Sequence, residues 1–197
     1  MDMHSGLSIL SGVLILVGFG FYVRSCWRGE TVPTKSTWLV LGVLDSITLA
    51  GLVVESIDHG KNLVNGQILA SAFVGWASFV LACFFGKSGW PLKERMCLLG
   101  AGIALTAWAI SGSATLGVIM SLVAMVLGAI PMLMSTIENP SSEDSTTWMI
   151  YAVSCFAALG GIREWTMAEG SQVLAFTIIE VTMAAITWRY KLRHWFS

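Results

Sequence analysis

The chain has 197 residues, of which 55% are apolar and 12% charged, with a mean hydropathy of +0.75 and a formal net charge of −1. Soluble domains carry roughly 25% charged residues, so this composition excludes an ordinary soluble domain. An integral membrane protein remains, with the lipid bilayer as its solvent and no nucleic acid among its expected partners.

A helix that crosses a bilayer needs about 20 residues. Seven apolar stretches reach or approach that length, near 5–24, 37–56, 66–86, 97–111, 114–136, 148–165 and 171–190. The expected fold is therefore all-α and polytopic, with seven transmembrane helices. Span 1 follows "MDMHSG", which lacks the basic leader of a signal peptide, so it is expected to stay as a mature helix. Span 2 opens at Trp38 and carries Gly42, Asp45 and Thr48 at three-residue steps, which places them on one helical face. Span 3 presents the small line Ser71, Gly75 and Ser78, with Trp76 near mid-span as a ring that can stack on a substrate ring or cation.

Span 4 is the shortest, and only "SGSA" separates it from span 5. One helix over 97–136 would be about twice the length a bilayer needs, so a tight turn is expected at Ser111 to Ser113. Span 5 contains Pro131 near its end, a candidate hinge or gate. Span 6 carries Tyr151 and Ser154, and span 7 carries Thr177 and Glu180, extended by Thr187. Arg163 and Glu164 end span 6, either as a solvated end or as a gate pair.

Trp38 and Trp148 open spans 2 and 6 at an offset of 110 positions, each after a polar, proline-bearing linker, "RGETVPTKSTW" and "ENPSSEDSTTW". Spans 3 and 7 align at an offset of 105, through "GQILASAFVGW" and "SQVLAFTIIEV". The pattern is a triplet of spans that occurs twice, with span 4 between the copies. It divides the chain into 1–90, 91–113 and 114–197.

Lys and Arg concentrate in cytoplasmic linkers. Nine of the eleven basic residues fall in the 1–2 and 3–4 linkers and the tail, leaving only Lys61 and Arg163 opposite, so the N-terminus is expected outside and the C-terminus in the cytoplasm. Spans 1 and 5 then both start outside, and the triplets are parallel repeats about an axis along the membrane normal. The four cysteines show no paired spacing and read as free. Trp38, Trp90, Trp148 and Trp165 flank span ends, where Trp serves as an interfacial anchor.

A three-plus-one-plus-three chain with its N-terminus outside, and with Pro131 followed by "MLMSTIENPSSEDSTTW", resembles the SWEET and PQ-loop transporter superfamily. The resemblance covers the whole chain in architecture. It implies two three-helix bundles, a third helix packed between the first and second of each, and a site at the midplane. The proline–glutamine dipeptide is absent, since Met132 follows Pro131. No span contains the Asn that SWEET sugar carriers share, so the resemblance does not carry a sugar over to this chain.

Acids within a bilayer cost about 2.5–3.5 kcal/mol each at a helix centre. Asp45 and Glu180 lie near the middle of spans 2 and 7, and the repeat places Cys155 and Gly75 at their counterparts. They can line a substrate or coupling-ion site with Thr48, Ser71, Trp76, Tyr151, Ser154 and Thr177, or act as protonated packing contacts. Span 7 lacks the mid-helix lysine of a retinal receptor. His4, His59 and His194 lie at ends or outside the spans, which leaves no metal cluster or Ser/His pair for a membrane enzyme. The expectation is a non-enzymatic carrier of a small molecule, without cofactor, proton- or cation-coupled, in a bacterial inner (plasma) membrane. A homo-oligomer is compatible with it, and a PQ-loop-like receptor or assembly factor is the alternative.

Overall fold

The computed structural model describes residues 2–59, 66–86, 88–111, 114–162, 165 and 167–195. Among them the chain forms seven α-helices: α1 (Met3–Trp27), α2 (Lys35–His59), α3 (Gly66–Phe85), α4 (Leu92–Ser111), α5 (Ala114–Glu138), α6 (Ser145–Gly161) and α7 (Met167–Trp195). A 3-10 turn at Pro140–Ser142 precedes α6, and there is no strand among the described residues. Lys61, Arg163, Glu164 and most of the turn expected at Ser111 to Ser113 lie outside the described residues.

Helix ends follow capping chemistry rather than hydropathy. The Asp2 carboxylate accepts from the Ser5 N–H at 2.7 Å and starts α1. Asp144 accepts from both the Thr147 N–H at 2.8 Å and the Thr147 hydroxyl at 2.7 Å, which starts α6 before Trp148. The span expected over 148–165 is corrected at its far end, because α6 stops at the Gly160–Gly161 pair and Ile162 folds back onto the Leu159 carbonyl. Pro91 sits before α4, whose first turn needs no donor there, and the helix begins at Leu92, ahead of the expected 97.

Among the described residues, four segments are long and apolar enough to cross a membrane: Met3–Trp27, Gly66–Phe85, Ile119–Glu138 and Gly170–Arg193. Polarity is inverted relative to a soluble protein. Ile9, Val13, Leu16, Phe73, Phe84, Val153, Phe156 and Ile178 are exposed, while Ser11, Thr37, Asp45, Ser78, Thr136 and Ser154 are buried. Such an exterior suits hydrocarbon, and the chain is an integral membrane protein.

α3 packs against both α1 and α2, which meet each other through the Tyr22 and Trp38 side chains. α7 packs in the same way against α5 and α6. The two groups meet through α1 on α6 and α2 on α5, and α4 lies along α5. Exchanging the groups interconverts the two junctions, and a glycine recurs in each. A Cβ on Gly18 would stand 2.6 Å from the Tyr151 ring of α6, and one on Gly128, 110 positions later, 2.6 Å from a Val40 methyl of α2. Both junctions thus require the same missing side chain.

Candidate functional site

A cavity of about 30 Å³ lies between the two helix groups. Its walls come from both. Trp38 and Trp148, and Leu41 and Tyr151, face it as pairs 110 positions apart. Ser71 and Phe176, Val74 and Ile179, and Gly75 and Glu180 face it as pairs 105 apart, the two offsets of the sequence repeat. Asp45 joins them, so both expected acids border one space.

Asp45 is 2% exposed. Its Oδ1 accepts a long hydrogen bond from Gln172 Nε2 at 3.4 Å, and the Ser71 hydroxyl is its second partner. Glu180 Oε2 accepts from the Cys155 thiol at 3.2 Å, and that sulfur accepts from Gln67 Nε2 at 3.4 Å. Gln67 and Gln172 are repeat mates, as are Cys155 and Asp45. Each third-helix glutamine therefore reaches across to the same position on the second helix of the opposite group. Cys155 is free, like Cys26, Cys83 and Cys97, but it is part of this network.

Tyr151 is buried against the cavity, and its hydroxyl has no hydrogen-bond partner among the described residues. Ser71 also lines the cavity. Thr177 stands one shell out, donating to the Val173 carbonyl at 2.7 Å and meeting the Cys155 thiol. Thr48 is half-buried on α2 but does not line the cavity.

Ser154 and Trp76 lie away from the cavity. Ser154 faces α1, where its hydroxyl and that of Ser11 share a hydrogen bond of 3.1 Å in a fully buried helix contact. Trp76 is 40% exposed on the outer side of α3, held there by its indole N–H donating to Ser46 Oγ at 2.9 Å. Pro131 is buried in α5 and borders a separate hollow of about 80 Å³ with Lys35, Lys93 and Glu94.

The interfacial-anchor reading also fails for Trp38 and Trp148, which are 5% and 2% exposed. Their rings stack at 6.5 Å and 20° and line the cavity at the end where α2 and α6 begin. The Trp38 indole N–H donates to the Tyr22 hydroxyl at 2.9 Å, and that of Trp148 to Glu143 Oε2 at 3.1 Å. Burial satisfied by a polar partner replaces the wet interface that the sequence suggested. Trp90 and Trp165 remain exposed at their helix ends. Their difference from the stacked pair was legible in one respect, since Trp38 and Trp148 recur at the offset of 110 and neither Trp90 nor Trp165 does.

No family model, curated protein or solved structure matches the chain.

Proposed function

We propose that the chain is a small-molecule membrane carrier of SWEET-like type, with seven spans in two parallel three-helix bundles joined by α4, working by alternating access. The observation that carries this reading is the cavity between the groups, lined from both at repeat-related positions and bordered by both intramembrane acids. The placement of α3 between α1 and α2, and of α7 between α5 and α6, supports it.

Asp45 and Glu180 bind the solute or a coupling proton, and Tyr151 and Ser71 orient it. The Trp38–Trp148 stack is the seal at the cytoplasmic end. A cavity of about 30 Å³ holds a water or two, so its walls must yield before a solute fits. Rocking about the α1–α6 and α2–α5 junctions would open one end as it closes the other.

Spin labels at Trp27 and Ile137, and at Ile9 and Ile119, would report the two ends of α1 and α5. The expected result is two distance populations at each end, opposite in weight between ends. A single population at both ends rejects the rocking mechanism.

A further inference from the structure

We infer that the cavity is a binding site for a small organic cation, an ammonium-bearing solute held between Asp45, Glu180, Tyr151 and the aromatic walls. This names the substrate class of the proposed carrier and rests on that reading for the site's role, though the chemistry of the site stands on its own geometry.

Charge comes first. Two carboxyls border the cavity and no basic side chain lines it among the described residues. Neither carboxyl is in an ion pair there. The partners of Asp45 are a glutamine amide at 3.4 Å and a hydroxyl, and that of Glu180 is a thiol, a weak donor. A buried carboxylate without a counter-charge is strongly disfavoured, so the site calls for a positive partner. An anion would meet only repulsion.

The unpartnered Tyr151 hydroxyl is an independent pointer to a ligand. A buried polar atom without a partner is costly unless something else bonds to it. An ammonium group, which only donates, satisfies that oxygen and the carboxylates together.

The walls decide between kinds of cation. Trp38, Trp148, Tyr151 and Phe176 present rings to the space, and aromatic faces attract organic cations most strongly where water is excluded. Calcium and magnesium take six or more oxygens, including waters, which these walls do not offer. Among the described residues no three His, Cys, Asp or Glu side chains gather as metal ligands.

The test uses the full chain purified in detergent, with tetramethylammonium and benzylammonium as probes, neopentyl alcohol and benzyl alcohol as neutral counterparts, and benzoate as the anion. Titration calorimetry should show at least one cation binding about tenfold or more tighter than its neutral counterpart, with benzoate weakest. Asp45→Asn and Glu180→Gln should each weaken that cation about tenfold, and Tyr151→Phe should weaken it to a smaller extent. The outward Trp76→Leu should leave it unchanged, and Glu180→Asp should restore part of what Glu180→Gln loses. Should the amide variants fail to fold, the Tyr151→Phe and Glu180→Asp comparisons carry the test. Equal binding of neutral and cationic probes, preference for benzoate, cation binding indifferent to these variants, or a protonation signal with no cation preference would each overturn the inference. Failure of the carrier reading is separable. Selective binding in a protein whose labelled ends never move leaves the cation site and removes the carrier, and reciprocal motion without cation preference does the reverse.

Discussion

Glu143 is 7% exposed, just before α6, with the indole N–H of Trp148 on its Oε2. Burial pushes its carboxyl up to about 8 from an ordinary 4.5; the indole N–H opposes this, and the neighbouring Asp144 charge adds to it. The folded protein thus binds a proton more tightly than the unfolded chain. That stabilisation is fully present below pH 4.5 and is lost as pH rises through about 8. Melting temperature in detergent should accordingly fall across this window, and Glu143→Gln should flatten the fall; an unchanged slope in the variant assigns it to other groups. At the stacked pair, Trp148→Phe keeps a ring but strips Glu143 of its donor, at an expected cost of about 1–3 kcal/mol. Trp148→Ala empties the site and should cost about 3–5 kcal/mol. Equal melting temperatures for the two variants would show that the indole hydrogen bond and the packing had been misjudged.

Close helix approach is set by the smallest residues. A Cβ on Gly75 would fall 2.8 Å from the Gly42 Cα, a backbone atom that cannot turn aside, whereas nothing stands within 4 Å of one on Gly102. Gly75→Ala should therefore destabilise by about 1–3 kcal/mol by prising α3 from α2. Gly102→Ala should be neutral or gain up to about 1 kcal/mol from helix propensity. Thermal melts of the two variants side by side check this, and a stable Gly75→Ala would mean that α3 and α2 are not held in contact here. Asp144 caps α6 through two hydrogen bonds, and Asp144→Ala should cost about 1 kcal/mol.

The molecule as a whole carries its charge at its ends and its polar groups inside. With nine of eleven basic residues in the 1–2 and 3–4 linkers and the tail, those segments should face the cytoplasm. A cysteine placed at the exposed Glu30 should react with an impermeant reagent only after the membrane is opened, and one placed at Lys61 should react in intact cells. The opposite pattern would invert the protein, and with it the side on which the Trp38–Trp148 seal closes the cavity.

Hydropathy and periodicity are local, and what they report is legible in the sequence: the membrane class, seven helices, and two acids placed at mid-helix. The angular position of each helix is not local. Trp76 lies mid-span yet points outward because α3 turns its glycine face to α2, and Ser154 is used by α1 rather than by the cavity. Trp38 and Trp148 sit at helix starts, where the sequence alone leaves a wet anchor and a buried ring equivalent. Only the meeting of α2 with α5 and of α1 with α6 stacks them face to face, and only the crossing of Gln67 and Gln172 between groups gives Cys155 and Asp45 equivalent partners. Burial is decided by which helices are neighbours, and that depends on side chains far apart in the chain fitting one another.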